Sequence, residues 1–578
     1  MVCVWLLLWW VAPARAADPV KLVVTGVQGA ALVNVREALA LPPGLVREGT
    51  VDRLWLDYFA GQVEAKVRTA LEPFGYYEAR VTSVVEPAGE GAYRLRVAIV
   101  PGKPVRITEL TVDVRGPGAQ EKRLKRDLAA FPLHKGGVLL QRAYEEAKGR
   151  MLADALDLAY LDATYSVHEI RISPAAHTAR VVLVLETGTQ YLFDGVRFEG
   201  ASDYPEPFLR RYVTFRAGDR FSQSLLGETQ LNLTNSERFK KVLITPQKED
   251  ARGFRVPVLV QLTPAARRSL RPGVGYGTDT GFRFSTRYRD LNLFHRGHEL
   301  DINLYLAERL QGVAAGYTIP GSRDIRTSTV LRLNLQREDV SSYVSRLAAV
   351  ELDVNRSFGK GELGTVYVKL QQEDFTIAGQ DSSNRLVLPG IRFSGNRFDS
   401  LIRPRRGYRY ALEVRGTNRY FGSDTQLLQF VAEGSHVLPL PWRLSLHSRA
   451  RAGITAVSDP LHDLPPSLRF FAGGDRSVRG YAYQSLGPTD AAGQVLGGKH
   501  LLVGSVELER GLFKDWGVSV FYDAGNAFDS FTNVRLAQGA GVGAHYYTRI
   551  GSFNLYIARQ IGEPHPAIRF HFTVGLEL

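Results

Sequence analysis

The feature that most constrains this chain is a change of rhythm near residue 267. From about Arg267 to Leu578 apolar and polar residues alternate with period two, and helical spacing nearly vanishes. Leu300, Ile302, Leu304 and Leu306 alternate with Asp301, Asn303 and Tyr305. Trp442, Leu444 and Leu446 alternate with Arg443, Ser445 and His447, which assigns Arg443 to the polar face. Phe570, Phe572, Val574, Leu576 and Leu578 alternate with His571, Thr573 and Glu577 to the last residue. A strand sends successive side chains to opposite faces, so each run has one apolar and one polar face.

Two architectures accept such strands. One is a large soluble sandwich or propeller; the other is a transmembrane barrel with lipid outside and water inside. Three features favour the barrel. Its polar face is rich in charge, as a wet lumen is. Runs reach about ten residues, enough to cross a bilayer at a tilt. The alternation continues to the last residue, which suits closure of the last strand on the first. About 310 residues, at roughly 19 per strand with its connection, predict about 16 strands, an even number as such barrels require. A mean hydropathy of −0.13 fits, because lumen-facing residues dilute the apolar ones.

The residues before this point read differently. From about Asp18 to Pro264 one pattern recurs three times with a period of about 80 residues. Each copy opens with a β-rich run ending near glycine: Leu22 to Gly26, Leu110 to Gly116, and Val196 to Gly200. Two helical stretches follow; in the first copy Leu54, Tyr58, Val63 and Val67 fall roughly on one helical face. Two strands close each copy, ending with Tyr93 to Val100, Arg180 to Glu186, and Phe254 to Leu262. The order is β-α-α-β-β.

Ahead of the repeats, Val4 to Ala12 is apolar, and Ala14-Arg15-Ala16 supplies a cleavage motif. The run is too short to span a bilayer, so residues 1–16 are expected to be a signal peptide that exports the chain. No Lys or Arg precedes it, which raises the prospect of a displaced start codon. The single cysteine, Cys3, falls inside this leader, leaving the mature chain no disulfide and no cysteine-bound metal. The net charge of +13 comes from arginines dispersed along the chain. Dispersion and export argue against nucleic acid as partner; arginines lining a lumen or facing anionic headgroups account for the charge.

Motifs for catalysis are absent. Gly493 to His500 nearly spells a phosphate-binding loop, but His500 stands where Ser or Thr must bind Mg²⁺, and a strand follows instead of a helix. Gly539 to Gly543 lacks dinucleotide-binding spacing. No zinc motif or nucleophile elbow is present. The chain is expected to be no enzyme and to need no cofactor or metal.

The whole chain resembles the outer-membrane assembly-factor superfamily, whose members join POTRA repeats to a 16-stranded barrel. Phe471-Ala472-Gly473-Gly474-Asp475-Arg476-Ser477-Val478-Arg479-Gly480-Tyr481 is similar to the family's Arg-Gly-aromatic signature. The resemblance places it on a long extracellular loop folded back into the barrel. Arg271 to Gly281 resembles the first strand, Asp399 to Gly407 a mid-barrel motif, and Ser505 to Leu508 and Phe521 to Gly525 the two strands after the signature loop. The implied fold class is multidomain: three α+β POTRA repeats (βααββ), then a 16-stranded antiparallel transmembrane β-barrel. The expected domains are 17–104, 105–188, 189–265 and 266–578. Three repeats resemble the translocation and assembly module subunit, TamA. This implies insertion or translocation of outer-membrane proteins such as autotransporters, and an outer-membrane site with the arm in the periplasm. It also implies three kinds of partner: a TamB-like inner-membrane-anchored protein spanning the periplasm, client proteins, and outer-membrane lipids. The alternatives are a two-partner-type secretion pore, a BamA-like general insertase and a passive porin; a porin needs no periplasmic arm.

Two candidate sites follow. Period-two alternation puts Glu507 on the face of Ser505, and Asp523 on that of Phe521 and Ser519, with Val506, Leu508, Val520 and Tyr522 opposite. Both carboxylates therefore point into the lumen, where Arg479 can pair with them bidentately. Gly480 permits close approach, and Tyr481 completes the loop-to-barrel lock. The second site is the seam between the first strand, with Gly273, Gly275, Tyr276 and Gly277, and the last, with Phe570, Phe572, Val574 and Leu576. Glycine weakens strand pairing. The first-strand glycines, Gly281 among them, either weaken the seam or only relieve crowding there. The family resemblance implies lateral opening and pairing of a client strand with the exposed edge.

Overall fold

The structure is a computed structural model that describes residues 19–47, 50–89, 91–400 and 402–577. The expected leader, residues 1–16, lies outside the described residues.

The first repeat runs β1 (Val20–Thr25), α1 (Gly29–Ala38), the short pair β2 (Val46–Arg47) and β3 (Thr50–Val51), α2 (Arg53–Leu71), β4 (Arg80–Pro87) and β5 (Tyr93–Val100). β5 is central, parallel to β1 and antiparallel to β4. A parallel pair requires a crossover, and the two helices supply it. Asp52 caps α2 by accepting the Trp55 N–H. The buried stripe of α2 is Leu56, Phe59, Val63 and Val67, which packs with Leu95, Val97 and Ile99 of β5. This corrects the helical face read from sequence: Leu54 and Tyr58 are 83% and 68% exposed. Stepping back four and seven residues from Val63 reaches Phe59 and Leu56, and that spacing carries the core face.

The second repeat has the same plan: β6 (Arg106–Arg115), α3 (Lys122–Ala129), α4 (Gln141–Asp157), β7 (Thr164–Ser173) and β8 (Thr178–Glu186), in sheet order β6-β8-β7. Leu124, Tyr144, Met151 and Ala155 from its helices pack with Val181, Leu183 and Leu185. The third comprises β9 (Leu192–Glu199), α5 (Glu206–Arg210), α6 (Gln223–Thr234), β10 (Phe239–Pro246) and β11 (Arg255–Pro264), in order β10-β11-β9. The chain forms two compact units, and the division between them falls within this third repeat.

The rest is a closed barrel of sixteen strands in sequence order, each antiparallel to its neighbours. They are β12 (Arg268–Gly277), β13 (Gly281–Leu293), β14 (His298–Ala307), β15 (Leu310–Pro320), β16 (Thr327–Asp339), β17 (Tyr343–Gly359), β18 (Glu362–Ile377), β19 (Gln380–Asn396), β20 (Gly407–Thr417), β21 (Leu427–Leu440), β22 (Leu444–Val457), β23 (His500–Gly511), β24 (Trp516–Phe528), β25 (Ala537–Tyr547), β26 (Gly551–Ile561) and β27 (Ile568–Glu577). Closure gives every strand a hydrogen-bonded neighbour on both sides and leaves no open edge to lipid. Among the described residues no helix is long and apolar enough to cross a membrane.

The alternation has the expected consequence. Leu331, Leu333, Leu335, Val506, Val520 and Tyr522 are exposed on the outside. Charge gathers inside: Arg287 meets Asp301 at 2.7 Å and Arg332 meets Asp353 at 2.5 Å. A cavity of about 680 Å³ is lined by Arg271, Arg287, Asp301, Arg332, Glu351 and Lys369 among others.

Two assignments change. Gly281 belongs to β13, beyond the 278–280 turn, at φ +77°. Arg443 does not face the lumen: Trp442 and Arg443 form the β21–β22 turn at φ 59° and 62°. A paired left-handed conformation matches the twist of a two-residue hairpin. The Arg443 guanidinium donates to the carbonyls of Leu512 and Phe513 at 3.1 and 2.9 Å.

Candidate functional site

Residues 458–499, between β22 and β23, form the longest barrel connection and fold into the lumen. Phe470, Ala472, Val478 and Tyr481 of this loop pack against Leu501, Val503 and Ala527 of the wall. Leu464 and Leu468 pack against Leu386, Leu388 and Leu427 on other strands. The loop is thus a plug with its own apolar core, and named polar contacts hold it in register.

The densest contacts surround Arg479. Its Nε donates to Asp523 Oδ2 at 2.7 Å and its Nη2 to Asp523 Oδ1 at 2.8 Å, a bidentate fork. Nη1 donates to Glu507 Oε2 at 2.6 Å, and Nη2 also reaches Ser505 Oγ at 3.2 Å. The Arg479 backbone N–H donates to Asp523 Oδ2 at 3.0 Å. The guanidinium carbon lies 3.4 Å from the Phe521 ring centroid and 4.6 Å from that of Tyr556. The side chains of Arg479, Asp523 and Glu507 are 3%, 0% and 13% exposed. Burial opposes the Arg479 charge, but the bonds and attraction from Asp523 and then Glu507 outweigh it, so its pKa is raised. Removing one partner from so buried a set costs about 3–5 kcal/mol, because the others stay desolvated without it.

The neighbouring residues make this approach possible. Gly480 has φ +98°, a conformation that favours glycine. Its N–H donates to His571 Nε2 at 3.0 Å, and its carbonyl accepts from Gln560 Nε2 at 3.1 Å. The Tyr481 hydroxyl donates to Glu563 Oε1 at 3.1 Å. Sequence reasoning missed Gly539 of β25: a Cβ there would lie 2.0 Å from Arg479 O, so the wall must be bare at this point. Gly539 opens the glycine-rich run that lacks dinucleotide-binding spacing, and its bare backbone makes room for the plug. Also missed were His545, 3.2 Å from Glu507, and Arg469, whose guanidinium donates to the carbonyls of His462, Leu464 and Leu496. A third anchor, Ser467 hydrogen-bonded to Glu373 of β18, lies on another wall. These anchors carry no local motif; only the folded loop brings them together.

At the seam, β12 and β27 pair over five residues each among the described residues, Gly273–Gly277 against Glu577–Thr573. By comparison, β12 pairs with β13 over ten residues and β26 with β27 over nine. Val574 faces Tyr276 and Leu576 faces Val274, while Phe570 and Phe572 extend past the paired stretch. Tyr276 packs on Phe282 and Phe572, with ring centroids 5.0 and 6.1 Å away. Gly275 answers a crowding demand: a Cβ there would sit 2.5 Å from Arg283 Nε and 2.6 Å from Val574 O. Over this bare position Arg283 of β13 reaches across β12 to the Val574 carbonyl at 2.9 Å. The seam is short, and part of its holding force comes from a side chain of the next strand.

Comparison with known proteins fits this architecture. The Omp85 superfamily domain matches residues 292–578, and the POTRA domain described as TamA domain 1 matches residues 21–101. The chain thus carries an Omp85 superfamily domain and a POTRA domain of the TamA type. Among its relatives, the outer membrane protein assembly factor BamA of Nitratidesulfovibrio vulgaris is 24% identical over 446 residues, 72% of this chain and 55% of that protein. BamA of Neisseria meningitidis serogroup B is 24% identical over 426 residues, 64% of this chain and 51% of that protein. The chain spans about half the length of these curated relatives. The crystal structure of Haemophilus ducreyi BamA lacking POTRA domains 1–3 shares the fold, with a TM-score of 0.68 at 18% identity over 82% of this chain and 100% of that one. The barrel is an outer-membrane barrel, and the POTRA arm lies in the periplasm. β12 starts at the periplasmic end, so the plug loop, following the eleventh strand, enters from the extracellular end.

Proposed function

We propose that this protein inserts or translocates other outer-membrane proteins, autotransporters among them, as the outer-membrane subunit of a translocation and assembly module. The observation that carries the reading is a plugged barrel with a short seam. A pore for diffusion gains nothing from a seam paired over five residues among those described, whereas an insertase needs an edge that opens and pairs with a client strand. The TamA-type match of the first repeat supports the finer assignment. The domain limits proposed are 17–104, 105–188 and 189–265 for the three POTRA repeats, with 266–578 as the barrel. Arg479, Gly480, Tyr481, Glu507 and Asp523 lock the plug; the gate is the seam of β12, with Gly273, Gly275, Tyr276 and Gly277, and β27, with Phe570, Phe572, Val574 and Leu576. Client folding supplies the driving energy, and the activity is mechanical rather than enzymatic. The periplasmic partner is a TamB-like protein anchored in the inner membrane.

A second reading, a BamA-like general insertase, is favoured by the names of the relatives. Two measurements test and separate the readings. Liposomes carrying the purified chain should fold an added unfolded barrel client faster than empty liposomes; equal rates contradict both. Pull-down from detergent-solubilised envelopes should recover a very large inner-membrane-anchored protein. Recovery of lipoproteins in its place supports the general insertase.

A further inference from the structure

Asp475, four residues before Arg479 in the plug, touches both sides of the seam. Its Oδ1 accepts from Thr278 Oγ1 at 3.2 Å, on the turn between β12 and β13. The same oxygen accepts from His571 Nδ1 of β27 at 2.5 Å. Its backbone N–H donates to Asp279 Oδ2 on that turn at 2.7 Å. Thr278 adds its own link, its N–H donating to Phe572 O at 3.1 Å.

The ring of His571 is 4% exposed, and its hydrogen bonds define its tautomer. Nε2 accepts the Gly480 N–H, so it bears no proton, and the single ring proton sits on Nδ1 and is donated to Asp475. That argues against a cation site, although Asp279, Asp475 and His571 bring suitable atoms within 4.8 Å of one another. The nitrogen facing the carboxylates has no free lone pair.

We propose that Asp475 is the positioning residue that keeps the seam shut: through it the plug clasps the first hairpin to the last strand, and the gate opens only when these bonds break. His571 relays the clasp to Gly480, and so to the Arg479 anchor next in sequence. The plug then restrains the gate as well as filling the lumen. This inference rests on the proposed lateral opening.

The test is a distance measurement. Spin labels on cysteines at Phe282 of β13 and Phe570 of β27 report seam width; both side chains are exposed, at 72% and 63%, and outside the clasp. The wild-type background should give one short distance, widening when an unfolded client is added. Asp475→Ala should populate the wide distance without client, by at least about fivefold for the loss of two part-buried hydrogen bonds. Asp475→Asn keeps an acceptor oxygen and should restore the short distance, which a merely structural lesion would not allow. Thr278→Val is a second variant, expected to open the seam part-way. Heat-modifiable migration on gels checks that each barrel is folded. A wild-type seam that widens with client, together with Asp475→Ala indistinguishable from wild type, overturns the clasp alone. Asp475→Asn opening as far as Asp475→Ala overturns the role of the Oδ1 acceptor. A seam that never widens with client overturns the lateral-opening reading and the clasp with it.

Discussion

At the scale of single residues, burial makes Arg479 decisive. Charge pairs on the protein surface contribute little, about 0–1 kcal/mol, whereas this guanidinium meets two carboxylates where water is excluded. Arg479→Ala should therefore reduce client assembly at least about tenfold, while Arg451→Ala, an exposed lumen residue of β22, should leave it within about twofold. Client-folding rates in liposomes measure both, and equal activity of the two variants contradicts the lock. Asp279 supplies a pH dependence. Burial, and then the nearby Asp475, push its carboxyl up to about 6, against the opposing Asp475 N–H, His571 and Arg309. A raised carboxyl pKa means that the clasped state prefers the protonated acid. The clasped seam therefore gains stability as pH falls from 7 through 6, and loses it as pH rises. Seam opening measured by spin labels should be rarer at pH 5 than at pH 7.5, and Asp279→Asn should flatten the dependence. An unchanged profile in that variant assigns the titration to another group.

At the scale of elements, period two proved the most dependable guide. It placed Ser505, Glu507, Ser519 and Asp523 inside and Val506, Val520 and Tyr522 outside, because strand geometry leaves a side chain only two directions. Helical spacing was less decisive: Leu54 and Tyr58 are four apart, as are Val63 and Val67, but only the second pair is buried. Phe59→Ala should destabilise the first repeat by about 3–5 kcal/mol, and Tyr58→Ser by under about 0.5 kcal/mol; hydrogen exchange of α2 in the full chain reads the difference. Arg443 was misplaced because a tight turn ends the alternation at Trp442, and nothing in the local pattern marks where strand gives way to hairpin. The role of Gly539 was missed for a related reason. A glycine in a strand signals that something approaches closely, but the sequence does not say what. Gly539→Ala should displace the Arg479 carbonyl and loosen the plug, raising ion conductance in planar bilayers. Wild-type conductance would contradict that account of the glycine.

At the scale of the whole molecule, the residues that shape the gate are far apart in sequence. Thr278, Asp475 and His571 are separated by about 200 and 100 residues, and no periodicity links them. The barrel and the repeats were legible because each strand or helix writes its own pattern. The clasp was not, because it exists only once sixteen strands have closed and the plug has folded back between them. Seam glycines that read equally as weakness or as relief of crowding resolve in part: Gly275 is bare so that Arg283 can cross it. The short pairing of β12 with β27 is the feature that remains for opening. The central claim is that clients pass through, or pair with, this seam. Its most direct test uses cysteines at Tyr276 and Val574, which face each other across it. With the disulfide formed, client assembly in liposomes should cease, and reductant should restore it. Full assembly by the oxidised, cross-linked protein would contradict the account.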